Sequence, residues 1–170
     1  MARASPWLTG LASVALLVSQ VHLALIVGMR RPNIICLQLS FSAERYWGIL
    51  NAWGAEGLRA YREHFAADAL HLCVYALFGY VVATRGGLFP ESAGRAAGRL
   101  AALLPLAALF DIAENLLQLR LLAGPFGAPS VLIPMSASCS LLKWGLVLFF
   151  ALWVGWRLLG KCGLAGRVAH

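Results

Sequence analysis

Residues 100–122 read LAALLPLAALFDIAENLLQLRLL. The run is long enough to cross roughly 30 Å of hydrocarbon at about 1.5 Å per residue. It nevertheless carries Asp111, Glu114, Asn115 and Gln118. Those positions fall at i, i+3, i+4 and i+7, so an α-helix collects them on one face. An ionised group at mid-span costs about 2.5–3.5 kcal/mol on insertion scales, which turns such a face inward, toward partners on other helices. One segment of this kind calls for a bundle around it. Pro105, in its first half, is the expected place for a kink.

The rest of the chain supplies the bundle. Apolar runs also cover about residues 8–29, 65–83 and 131–156. The first is closed by Arg30, Arg31 and Pro32, and Trp7 stands where an interfacial anchor belongs. Its apolar stretch is long for a cleaved signal peptide, so it is read as a retained helix. The last run ends on Trp153 and Trp156, followed by Arg157 and Lys161. The 170-residue chain is 61% hydrophobic and 12% charged, against about 45–50% apolar and about 25% charged in soluble proteins. Its net charge of +7 comes from basic residues that flank apolar runs instead of forming one patch, which excludes nucleic acid as a partner. The expectation is an all-α, four-transmembrane-helix bundle, one transmembrane domain over residues 1–170.

The connection between the first two spans has its own pattern. Ser42 can cap a helix starting near Ala43, and Glu44 in its first turn favours the positive helix end. Tyr46, Trp47, Leu50 and Trp53 follow helical spacing, and Gly54 can end the segment. The expected element is a short amphipathic helix, about residues 43–53, either lying at the membrane surface or packed as a cap over the bundle. Leu58, Tyr61 and Phe65 continue at helical spacing, so the second helix begins before it enters the hydrocarbon. His64 and His170, outside the spans, read as solvated. Gly94 and Gly98 match a helix-contact spacing but stand at a span edge, where a turn is expected. Arg3, Arg85, Arg95, Arg99, Arg157, Lys161 and Arg167 gather on the side of the termini, one more basic residue than on the other side, which favours cytoplasmic termini. Cys36, Cys73, Cys139 and Cys162 form no C-x-x-C pair, and Cys73 and Cys139 read as small packing residues.

Each span brings ionisable or polar groups. The first has Gln20 and His22, the second Asp68, His71 and Tyr75, the fourth Lys143. Asp68, His71 and Tyr75 lie at i, i+3 and i+7 and share a face. Measured from the membrane edge that carries the long first loop, His22 is about 10 Å deep, His71 about 9 Å, Glu114 about 12 Å and Lys143 about 13 Å. Four helices thus deliver an ionisable group to one thin slab, with Asp68 above it and Asp111 below. Lys143 has no acidic neighbour on its own span, so Glu114 or Asp111 is its expected partner, leaving the other carboxylate free.

Several functions fit such a layer of His22, Asp68, His71, Tyr75, Asp111, Glu114, Asn115 and Lys143. It can be interhelical glue. It can line a pocket for a lipid, a sterol or another hydrophobic ligand. It can support acid–base catalysis on a lipid by His71 and Glu114. An ion or proton path would need an oligomer, and a metal site would draw on His22, His71, Asp111 and Glu114 without any known ligand motif. No nucleophile elbow, P-loop or dinucleotide fingerprint is present, so no cofactor is called for. The partners that remain are membrane lipids, a hydrophobic small molecule, and a membrane protein or second copy of the chain.

The stretch Leu37-Gln-Leu-Ser-Phe-Ser-Ala-Glu-Arg, with Ile49-Leu50, Trp53-Gly54, Asp68 through Tyr75, and Leu104-Pro105 through Asp111-x-x-Glu114-Asn115, resembles uncharacterised four-helix membrane-protein families over about half the chain. That likeness implies no activity. In architecture, four spans with a long first loop and acids on the middle spans resemble the EXPERA group of sterol isomerases and sigma-2-like receptors. The resemblance implies a bundle pocket for sterols or amphiphilic amines, closed by acidic residues, with Asp68, His71, Glu114 and Asn115 as candidates. The aromatic first loop departs from that group.

Overall fold

The computed structural model describes residues 5–28, 30–88 and 94–168, with side chains up to residue 160 apart from residue 94. Arg3, Met29 and His170, and the side chains of Lys161, Cys162 and Arg167, lie outside the described residues. Among those described there are helices and no strand: α1 Pro6–Val27, α2 Ile34–Gln38, α3 Ala43–Arg85, α4 Gly94–Ala101, α5 Leu103–Ala123 and α6 Leu132–Val168. Four of them, α1, α3, α5 and α6, are long and apolar enough to cross a membrane. The chain is a multi-pass integral membrane protein built as a four-helix bundle.

Local signals set the ends and bends. Ser42 caps α3 by accepting from the Arg45 N–H at 3.3 Å. Gly54 sits inside α3 at φ 66°, ψ −171°, a left-handed conformation that glycine adopts freely. The first-loop helix therefore ends where its sequence suggested and turns into the second span without a loop. From Ala55 to Arg85 the helix is about 46 Å long at 1.5 Å per residue, against about 30 Å of hydrocarbon, so its first turns stand clear of the bilayer core. The α4–α5 break falls at Ala102, ahead of Pro105. The proline ring clashes with the carbonyl four residues earlier, at Ala101, and has no N–H to give it. The sequence did not announce α2, a single turn whose Asn33 side chain accepts from Cys36 N–H at 3.0 Å. Nor did it announce that α6 continues well past Trp156.

The aromatic stripe belongs to a cap. Tyr46, Trp47, Leu50 and Trp53 are buried and pack with Leu37, Tyr61, Phe65, Leu121 and Ile133. The Trp47 indole donates to the Ala128 carbonyl at 2.8 Å and the Trp53 indole to Pro32 at 2.7 Å. Each indole N–H thus ties the cap to a loop, and the stripe faces the bundle, while Glu44, Arg45 and Asn51 face outward.

The four long helices form an open arc. Helix α1 packs along α3, α3 along α5 and α5 along α6, whereas α1 and α6 barely touch. Helices α3 and α5 approach closely at Gly79, which is buried against Leu104: a Cβ at Gly79 would stand 2.6 Å from the Leu104 Cβ. Helix α1 is mostly outward-facing, with Leu23 its one buried residue. A polar bond from Ser19 and a backbone bond from Ser5 N–H to the Arg85 carbonyl at 2.9 Å hold it to α3.

Candidate functional site

The polar faces of α3, α5 and α6 meet inside the arc. Lys143 Nζ lies 2.8 Å from Asp111 Oδ1 and 2.7 Å from Glu114 Oε2. The expected pair is thus a triad, and neither carboxylate is left over. Asp111 and Glu114 are less than a helical turn apart on one face, and a lysine's four-carbon stem lets one ammonium serve both. Asp111 is accordingly part of the ionic centre and not a separate group below it. Tyr75 donates to Asp111 Oδ2 at 3.0 Å, and Gln118 Nε2 donates to Glu114 Oε1 at 3.0 Å. Glu114 has no exposed surface at all, and Asp111 and Lys143 are each 4% exposed. Asn115 donates to Asp68 Oδ2 at 2.5 Å, joining α5 to α3 one level nearer the cap.

The α5–α6 register explains why these groups meet. Lys143 faces Asp111, and one turn toward the cap Ser140 stands beside Glu114. Further turns in the same direction bring Ser136 level with Gln118 and Ile133 level with Leu121. The last two share one buried apolar cluster. Antiparallel helices with equal rise keep this pairing over about three turns.

A cavity of about 930 Å³ fills the open side of the arc, near the upper end of the roughly 300–1,000 Å³ usual for small-molecule sites. It runs laterally between α1 and α6. Leu16, Leu23, Phe78, Val147, Phe150 and Val154 supply its apolar walls, and its floor carries Asp68, His71, Tyr75, Asp111 and Lys143. His71 Nδ1 lies 2.9 Å from Ser19 Oγ. Ser19 gives its one hydroxyl proton to the Leu16 carbonyl at 3.0 Å, so its oxygen accepts from His71 Nδ1–H. The neutral imidazole then carries its lone pair on Nε2.

Four expectations need correction. His22 does not join the layer: it is exposed on α1 and lines no part of the cavity. Ser19, one turn away, is the α1 residue turned toward α3, because only one stripe of a helix can face its single neighbour. Glu114 is likewise not a cavity residue. Lys143 and Asp111 line the cavity in its place, so of His71 and Glu114, the two groups expected to act on a lipid together, only His71 borders that space. His64 is not solvated. It is 4% exposed, stacks on Tyr61 with ring centroids 4.8 Å apart, donates from Nδ1 to the Tyr61 carbonyl, and lines the cavity. Its place at i−4 from Asp68 and i−7 from His71 marks it in the sequence as a member of the same face. Cys73 is exposed on α3 and packs nothing internally.

Among the described residues no group of three or more His, Cys, Asp or Glu side chains is gathered as a metal centre of those ligands requires. No protein-family model, no curated protein and no solved structure matches the chain.

Proposed function

We propose that the lateral cleft binds a hydrophobic ligand with a polar end, lipid or sterol-like, with its body between α1 and α6 and its head on the ionisable floor. One observation carries this reading: a cavity of about 930 Å³ with apolar walls has its ionisable groups, His64, Asp68, His71, Tyr75, Asp111 and Lys143, gathered on α3 and the facing turns of α5 and α6. Interhelical glue accounts for the Lys143 triad and for the Asp68–Asn115 bond, but glue alone needs no void beside it. The architectural likeness to the EXPERA group belongs with this proposal. So does an orientation with cytoplasmic termini, which rests on the small excess of basic residues on that side.

The test is native mass spectrometry of protein purified with membrane lipid retained, set against Val147→Trp, which places a bulky ring in the cleft beside its ionisable floor. A bound species on the native protein that is lost from the variant is the expected result. Equal adducts on both, or none on either, would remove the proposal.

A catalytic use of the cleft is favoured by a separate observation: the basic Nε2 of His71 belongs to a ring lining the same space as Asp111 and Tyr75. In that reading Asp111, not Glu114, is the carboxyl group in reach of a lipid double bond or ester. Recovery of a chemically altered lipid from the native protein, but not from His71→Ala, is its signature.

A further inference from the structure

The geometry points to a second copy of this chain as the partner of α1. Two molecules pair through the outer stripe Leu11, Ala15, Val18, His22 and Leu25, with the two His22 rings hydrogen-bonded to each other across a two-fold axis.

Helix α1 presents three sides. Ser19 bonds toward α3, and Ser13, Gln20 and Ala24 line the cleft. Leu11, Ala15, Val18, His22 and Leu25 are exposed on the remaining side. Exposed leucine and valine call for nothing in a bilayer, because acyl chains are as apolar as they are. His22 is different. The 22 residues of α1 span about 33 Å, close to the thickness of the hydrocarbon, and His22 stands about 8 Å inside the loop-side end. From there an imidazole on one methylene does not reach the interface as a long lysine or arginine side chain does. The ring has no hydrogen-bond partner among the described residues. By contrast Asp68, His71, Asp111, Glu114 and Lys143 are buried or half-buried and bonded to groups on other helices. A histidine inside a span almost always faces another helix, and within one molecule no helix stands opposite His22.

The spacing of the stripe says what covers it. Its steps of four, three, four and three residues are those of a two-stranded seam, with Ala15 and His22 at a positions and Leu11, Val18 and Leu25 at d positions. Two copies inserted in the same orientation, related by a two-fold axis along the membrane normal, run their α1 helices parallel and set each residue of the seam opposite its own counterpart. Symmetry then puts the two His22 rings at one depth, whereas an unrelated helix would need a polar group of its own at that level. A neutral imidazole carries one donor and one acceptor, so the same residue from two copies can bond to itself. Ala15, one heptad away, lets the backbones approach. A single polar residue at an a position also fixes register and strand number, at some cost in affinity. The seam lies on the side of α1 away from Gln20 and Ala24, so pairing leaves the cleft open to the bilayer.

The experiment is sedimentation equilibrium of the full chain in density-matched detergent. The native protein is expected to show a monomer–dimer equilibrium set by its concentration in the micelle phase. His22→Leu should weaken the dimer about tenfold, the effect of losing an interhelical hydrogen bond, whereas His22→Gln, which keeps a donor and an acceptor, should stay close to native. A monomer at every concentration would overturn the proposal and leave His22 to a lipid or to a different membrane protein. Equal dimerisation of native protein and His22→Leu would also overturn it, because the interface would then lie elsewhere. Oxidative cross-linking in vesicles gives a second readout that does not depend on the histidine variants. With Cys36, Cys73, Cys139 and Cys162 replaced by alanine, Val18→Cys on the seam should link two chains, and Leu17→Cys, which lines the cleft, should not. Links from Leu17→Cys in place of Val18→Cys would refute the stripe.

Discussion

Replacing Lys143 by methionine tests the ionic centre most directly. The substitution keeps most of the side-chain length and removes the charge. Asp111 and Glu114 then face each other with no cation, and both are at least 96% buried. Removing one partner of a buried ion pair costs about 3–5 kcal/mol, chiefly because the remaining charge is stranded. Here one ammonium serves two carboxylates, so the upper part of that range, about 5 kcal/mol, is expected. For a chain of this size each kcal/mol moves Tm by about 2–4 °C, so the variant should unfold roughly 10–20 °C below the native protein. Glu114→Gln leaves the Lys143–Asp111 contact in place and should cost less, about 1–2 kcal/mol. Asp111→Asn should fall between the two, because it also weakens the bond from Tyr75. The decisive comparison is the triple variant Asp111→Asn, Glu114→Gln, Lys143→Met. Neutral groups of similar volume often replace a buried ionic cluster without loss, so the triple should be more stable than Lys143→Met alone by about 3 kcal/mol, a strong coupling between neighbours. Unfolding free energies from detergent titration or steric trapping would measure this. A Lys143→Met protein within about 0.5 kcal/mol of native, or a triple variant as unstable as the sum of the singles, would refute the triad.

Other outcomes follow from the fold. Gly79→Leu should prevent α3 and α5 from closing, because even a Cβ there would meet the Leu104 side chain at 2.6 Å; a cost of about 1–3 kcal/mol is expected for forced repacking, and a native-like Tm would place the helix crossing elsewhere. Gly54→Ala should cost about 1 kcal/mol, since φ 66° is unfavourable for a residue with a Cβ; a neutral result would mean that α3 does not turn at Gly54. Trp53→Phe removes the bond to the Pro32 carbonyl and should cost about 1 kcal/mol, with faster amide exchange confined to the cap; unchanged protection would show that the indole does not pin the loop.

The sequence was sufficient for the class and for most of the boundaries. Four long apolar runs have one low-energy use, because every backbone polar group inside a bilayer must be satisfied within its own segment. The spacing of Asp68, His71 and Tyr75, and of Asp111, Glu114, Asn115 and Gln118, fixed two helix faces by geometry alone, and burial cost turned both inward. Ser42 and Gly54 marked a helix start and a bend because capping and positive φ are properties of single residues. The tertiary structure decided everything that depends on how one helix is rotated and shifted against another. Depth along a helix is a one-dimensional quantity, and His22, at the right depth, points the wrong way because α1 packs on α3 alone. The sharing of Lys143 between two carboxylates and the shielding of Glu114 from the cleft follow from register between elements far apart in the chain. So does the cleft itself: it exists because α1 and α6 do not close the ring, and no local pattern of residues records a contact that is not made.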